Sequence, residues 1–116
     1  MGQIIQHKGL AERWGQFPLE FQLANIGSEV SRAIHSQDNP ARFQGAFNRA
    51  LELFDFSIDC AAKKHATAAL RELCITREEF CDYFNGNSFG TAPNAMMAYY
   101  NQFALLARKQ NNCIKT

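Results

Sequence analysis

The chain has 116 residues, of which 47% are hydrophobic and 20% are charged, and its formal net charge is +1. A chain of this length can bury one hydrophobic core but not two, so we expect a single domain. The near-neutral charge argues against binding to nucleic acid or to a membrane surface through bulk positive charge, because such binding needs a concentrated basic field.

The sequence has no segment that approaches the roughly 20 apolar residues of a membrane-spanning helix. Its first residues contain neither a sustained apolar core nor a small-residue cleavage site, so a secretory signal is not expected. These patterns predict a cytoplasmic protein with no membrane partner.

Residues 1–17 show no clear periodicity, and we predict an N-terminal segment that is partly mobile. The first helix is predicted at 18–35, where Pro18 suits a first helical position and apolar residues recur at intervals of three and four. Gly27 lies inside this apolar stripe, although glycine costs about 1 kcal/mol relative to alanine in a helix interior. We therefore predict a close helix crossing at Gly27.

Three further helices follow. Asn39 can cap a helix that begins at Pro40 and runs to about residue 62. A third helix is predicted at about 67–85; Thr76 and Glu79 fit a capping box, but the unbroken apolar period favours one helix over two. Gly86 can adopt the left-handed conformation that ends it.

The fourth helix is predicted at about 93–110, followed by a tail at 111–116. Its apolar face is broad, which suggests contact with two neighbouring helices or with a second subunit. The face comprises Met96, Met97, Tyr99, Tyr100 and Phe103. Short loops between long helices favour antiparallel neighbours, so we predict an all-α antiparallel four-helix bundle over residues 18–110.

One flank of the first helix carries four polar residues at spacings of three, four and three. They are Gln22, Asn25, Glu29 and Arg32. The simplest interpretation is a solvated helix face. The alternative is a functional flank, because the run borders the apolar stripe and contains Gln and Asn, where exposed helices more often have Glu and Lys.

Arg77 lies among apolar residues of the third helix, so its guanidinium must either extend to solvent or find a carboxylate. Asp55 and Asp59 on the second helix are candidate partners, as is Glu29. We predict a buried ion pair that stabilises the fold.

Catalytic and metal sites are not indicated. The three histidines are scattered, and the fourth helix carries no Asp or Glu, which excludes a di-iron site with ligands on all four helices. The four cysteines form no CxxC pair, and Cys74 and Cys81 are predicted to fill the core. We expect no metal and no cofactor.

The segments FPLEFQLANIGSEVSRAI (17–34) and RALELFDFSID (49–59), with RELCITREEFCDYFNGNS further along, resemble an uncharacterised family of short bacterial all-helical proteins. This resemblance implies the helical fold and no particular activity. The chain also resembles HEPN domains, small helical bundles whose active ribonucleases carry an arginine and, after about four to six residues, a histidine. Only two residues separate Arg32 from His35, so this resemblance implies a copy without that activity.

The first functional hypothesis is a non-catalytic helical interaction module that binds itself, as a homodimer, or binds a protein partner. The second is a HEPN-like RNA-acting protein with a rearranged site around Arg32. The third is a small-molecule-binding bundle that uses the polar flank of the first helix.

Overall fold

The structure is a computed structural model that describes residues 13–115, and the side chains of residues 13–109. The described residues include four helices, which are α1 (Leu19–His35), α2 (Pro40–Lys63), α3 (Thr67–Phe84) and α4 (Pro93–Lys115), and they form no strand. The predicted all-α four-helix bundle is confirmed. None of the described helices is long and apolar enough to span a membrane.

The predicted helix boundaries lie close to the observed ones, except that the backbone of α4 continues past residue 110 to Lys115. Asn39 caps α2 as predicted, because its Oδ1 accepts a hydrogen bond from the Arg42 amide at 3.2 Å. Gly86 has a φ of 94°, the left-handed conformation expected after α3. The prediction of a mobile segment at 1–17 falls largely on residues 1–12, which lie outside the described part of the chain.

Helix α1 packs against both α2 and α4, whereas α3 packs mainly against α2. Two contacts show that α1 and α2 run in opposite directions. Trp14, just before α1, donates to Ser57 near the end of α2, and Glu29 in the second half of α1 contacts Arg49 in the first half of α2. The α1–α2 pair is therefore an antiparallel hairpin.

Helices α2 and α3 are also antiparallel. Phe43 at the start of α2 contacts Phe84 at the end of α3, with ring centroids 5.0 Å apart. Further along α2, Asp55 contacts Arg77. Aromatic rings of the two helices form stacked and edge-on pairs across this interface. Such pairs stabilise a protein by more than the burial of their apolar area alone.

The core is formed by apolar side chains from all four helices. Its buried members are Leu23, Ile26, Val30, Ala50, Phe54, Ala61, Leu73, Phe80, Met96 and Tyr100. Gly27 lies where α1 crosses α4, and a Cβ atom at this position would lie 2.5 Å from the Cβ of Tyr100. The predicted close helix crossing is confirmed.

The buried face of α3 differs from the predicted face. Leu73, Thr76 and Phe80 are buried, whereas Cys74 is exposed and Cys81 is partly buried. The prediction that Cys74 fills the core is therefore wrong. The aromatic side chains of α2 meet α3 at Phe80, and this contact turns Cys74 towards solvent.

Part of the broad apolar face of α4 is covered within the bundle. Met96 and Tyr100 are buried, and the Tyr99 hydroxyl forms a 2.9 Å hydrogen bond with Thr76 Oγ1 on α3. Burial raises the pKa of Tyr99 to about 12. Leu105 and Leu106, further along α4, remain exposed.

Candidate functional site

The polar flank of α1 is partly buried and partly exposed. Gln22 and Glu29 are buried, Asn25 is half-buried, and Arg32 is exposed. Gln22 Nε2 donates to the backbone oxygens of Phe17 at 2.9 Å and Trp14 at 3.2 Å. Gln22 therefore has a structural role, because it fixes the segment before α1, and the other three residues are the candidates for a functional role.

Glu29 is the centre of the site. Its side chain is only 9% exposed, yet its two carboxylate oxygens each accept a hydrogen bond from an arginine. Oε1 accepts from Nη1 of Arg32 on the same helix, and Oε2 accepts from Nε of Arg49 on α2 at 2.7 Å. The two arginine side chains are 63% and 54% exposed, so a buried carboxylate fixes two guanidinium groups that reach solvent.

These three residues line an open cavity of about 340 Å³ between α1 and α2, which we call the groove. Its lining combines charged, amide and apolar groups. The lining residues are Trp14, Asn25, Ser28, Glu29, Arg32, Arg49, Glu52 and Leu53. Asn25 Nδ2 donates to the backbone oxygen of Phe21 at 2.8 Å, and its amide oxygen is left as an acceptor for a ligand.

A second cavity of about 370 Å³ shares Arg32 and Arg49 with the groove and lies at the start of α2; we call it the arginine pocket. Its lining residues are Arg32, Ser36, Ala41, Arg42, Gly45, Ala46 and Arg49. None of these described residues is acidic, and Arg42 forms no ion pair within the described part of the chain. Three arginines therefore line one cavity, and Glu29 accepts hydrogen bonds from two of them.

Arg42 and Arg49 were not among the site residues predicted from the sequence. They are seven residues apart on α2, a spacing that places them on one face of a helix. This spacing is the sequence signal that could have indicated that Arg42 and Arg49 belong to one site. It could not identify Glu29 as the partner of Arg49, because that pairing depends on how α1 and α2 pack.

Arg77 pairs with Asp55, as the sequence suggested, with 3.0 Å between Nε and Oδ1. The expected burial is wrong, since the two side chains are 36% and 61% exposed. Asp59 instead contacts Lys63 at 2.9 Å, and this hydrogen bond raises the pKa of Lys63. The orientation of α3 explains the difference, because turning Phe80 into the core leaves Arg77 at the edge of the buried face.

A second feature that the sequence did not reveal is the loop between α3 and α4. The Asp82 carboxylate accepts hydrogen bonds from the backbone amides of Ser88 at 3.1 Å and Phe89 at 3.0 Å, and from the Ser88 hydroxyl. These bonds, that of the Ser88 hydroxyl first, lower the pKa of Asp82. The loop is thus fixed by one side chain, and Phe89 lies exposed within it.

No group of three or more His, Cys, Asp and Glu side chains could hold a metal ion within the described residues. His35 Nδ1 lies 2.7 Å from the backbone oxygen of Ser31, one turn back on α1. Arg32 contacts Glu29. Arg32 and His35 therefore make separate contacts, each with another residue of α1.

Comparison of the chain with protein-family models, with curated proteins and with solved structures found no match. The geometry of the described residues is therefore the basis on which a function can be assigned.

Proposed function

We propose that this protein is a non-catalytic helical binding module that takes an anionic ligand between α1 and α2. The observation that carries the proposal is the buried Glu29 carboxylate, which holds the Arg32 and Arg49 guanidinium groups at the shared wall of the groove and the arginine pocket. The proposed function combines the hypothesis of an interaction module with the hypothesis of a small-molecule-binding bundle.

Arginine suits this role because its guanidinium carries five N–H donors in a planar fork. One N–H of Arg32 and one of Arg49 are used at Glu29. The remaining donors can bind a carboxylate or phosphate group in bidentate geometry. The bonds to Glu29 already restrict both arginine side chains. Binding of an anion to them therefore costs less side-chain entropy than binding to two unconstrained arginines.

The engagement of Glu29 also favours binding over catalysis. A general base must be able to accept a proton from a substrate within hydrogen-bonding reach. Both Glu29 oxygens already accept hydrogen bonds from arginines. This arrangement fixes positive charge in place, which is what recognition of an anion requires.

The test is a titration of ¹⁵N-labelled protein with benzoate and with phenyl phosphate, followed by amide chemical shifts. We expect the shifts to map to the facing parts of α1 and α2, and Arg32→Gln and Arg49→Gln each to weaken binding. Arg71→Gln, at an exposed position on α3, is the matched control. If neither ligand bound, or if Arg32→Gln and Arg49→Gln both left binding unchanged, the proposal would be contradicted.

A second candidate function is self-association through α4. It is favoured by the exposure of Leu105 and Leu106, two adjacent leucines of α4 that the bundle leaves uncovered. The occupant proposed for this surface is a second copy of the chain. Sedimentation equilibrium should show a dimer that Leu105→Gln with Leu106→Gln dissociates; a monomeric wild-type protein at high micromolar concentration would rule it out.

A further inference from the structure

The groove and the arginine pocket adjoin each other, and Arg32 and Arg49 line both. We infer that the two cavities together bind a small organic phosphate monoester, with the phosphate in the arginine pocket and the organic part in the groove. This inference rests on the proposed function and names the ligand class.

The charge of the arginine pocket favours a phosphate over a carboxylate. A phosphate monoester carries a charge of about −1.5 to −2 near neutral pH and three strong acceptor oxygens, whereas a carboxylate carries −1. Three arginines line the pocket, and Glu29, which pairs with two of them, supplies one negative charge. The net positive charge thus matches a dianion.

The backbone and small residues around the pocket are consistent with this ligand. The first turn of α2 contains no acidic residue, and Ala41 in that turn lines the pocket, so the positive end of the helix dipole adds to the arginine charge. Gly45 allows Arg49 to lie close to the α2 backbone, because a Cβ there would lie only 3.3 Å from Arg49 Nη1. Ser36 contributes a hydroxyl to the lining.

The groove provides a different surface for the organic part. Trp14 and Leu53 contribute apolar area, and Asn25 contributes an amide oxygen that can accept a hydrogen bond. Such a wall suits a small ring or chain with a hydroxyl or amine donor. Because Arg32 and Arg49 line both cavities, a ligand whose organic part lies in the groove can place its phosphate against both arginines.

Trp14 is the sole tryptophan of the chain and lines the groove but not the arginine pocket. Its fluorescence therefore reports occupation of the groove. The experiment titrates the protein in phosphate-free buffer at pH 8 with phenyl phosphate, benzoate and inorganic phosphate, following tryptophan fluorescence and, in parallel, the heat of binding. Phenyl phosphate and benzoate share the ring and differ in the anion.

We expect phenyl phosphate to bind about tenfold more tightly than benzoate, since charge-assisted hydrogen bonds to a third arginine add roughly a factor of ten. Inorganic phosphate should compete with phenyl phosphate while leaving the fluorescence nearly unchanged. Arg42→Gln should weaken phenyl phosphate about tenfold and leave benzoate binding largely intact. Arg71→Gln should change neither affinity.

Equal affinities for the two ligands, or an Arg42→Gln protein that binds phenyl phosphate as the wild type does, would overturn the phosphate assignment. If Arg49→Gln still weakened both ligands in that case, the more general anion-binding function would stand. If none of the three probes bound, or if neither Arg32→Gln nor Arg49→Gln altered their binding, both the phosphate assignment and the anion-binding function would be overturned. Circular dichroism of each variant checks that it remains folded.

Discussion

Glu29 and Arg49 are twenty residues apart in the chain, and the 2.7 Å contact between Oε2 and Nε joins the second half of α1 to the first half of α2. This contact has two consequences. It pairs a buried carboxylate, whose burial without a partner would be costly. It also holds a guanidinium at the wall shared by two cavities, so one interaction links fold stability to the candidate site.

Glu29→Gln should lower the free energy of unfolding by about 1–2 kcal/mol. The variant keeps the side-chain volume but removes the charge that two arginines contact, and the exposure of those arginines limits the loss. Urea unfolding measures the effect. The matched control is Glu78→Gln, at an exposed position on α3, where a change within about 0.5 kcal/mol is expected. Equal effects of the two substitutions would show that the Glu29 pairs contribute nothing specific.

Gly27→Ala should destabilise the protein, whereas the same change at Gly45 should not. A Cβ at residue 27 would lie 2.5 Å from the Cβ of Tyr100, so α1 and α4 would have to separate. Overpacking of this kind costs about 1–3 kcal/mol and outweighs the gain of up to about 1 kcal/mol in helix propensity.

At Gly45 the nearest atom is the flexible end of Arg49, 3.3 Å away, which can move. Gly45→Ala should therefore be neutral or slightly stabilising. Thermal unfolding of both variants, read by circular dichroism, makes the comparison. A Gly27→Ala protein with an unchanged or higher midpoint would contradict the close crossing.

Arg77→Ala should have a small effect on stability, less than about 1 kcal/mol. Its contact with Asp55 is exposed, and exposed ion pairs contribute little because solvent and salt screen them. Denaturant unfolding at low and high salt tests this, and the effect should shrink as salt increases. A loss of several kcal/mol would mean that Arg77 is buried in solution.

Asp82→Asn should loosen the α3–α4 loop at neutral pH and have little effect in acid. The pKa of Asp82 is lowered from 3.8 in the folded protein, so its charged form stabilises the loop above that value. This contribution is lost as the pH falls below 3.8 and through the folded-state pKa.

Hydrogen exchange of the Ser88 and Phe89 amides is the direct measurement, because both donate to Asp82. At neutral pH these amides should exchange faster in Asp82→Asn than in the wild type. A loop that is equally protected in both proteins would show that Asp82 is not its anchor. Glu78→Asn, on the exposed side of α3, is a suitable control for a general loss of negative charge.

The helices and their ends could be predicted from the sequence because the signals are local. Asn39 caps the turn that follows it, Gly86 accommodates a positive φ, and the spacing of apolar residues reports the helix period. The crossing at Gly27 was also predictable, since a glycine inside an apolar stripe weakens the helix and is favoured where a neighbouring helix must approach closely.

The composition of the site could be predicted only in part. Asn25, Glu29 and Arg32 share one flank of α1, and the sequence shows this directly. Whether Glu29 is buried depends on how α2 lies against α1, and so does the identity of its second arginine. The burial of Arg77 likewise depends on packing, because a rotation of α3 by a fraction of a turn decides whether that residue enters the core or lies at its edge.

The hydrogen bond from Trp14 Nε1 to Ser57 Oγ, 2.7 Å long, has a consequence for the shortest chain that can fold. Removing residues 1–17 would delete the tryptophan that covers Ser57 and the two backbone oxygens that accept from the Gln22 amide. Both polar groups would lose their partners, and the groove would lose one wall. A truncated protein that starts at Pro18 should therefore be less stable than one that starts at Arg13, even though both contain every helix from α1 to α4.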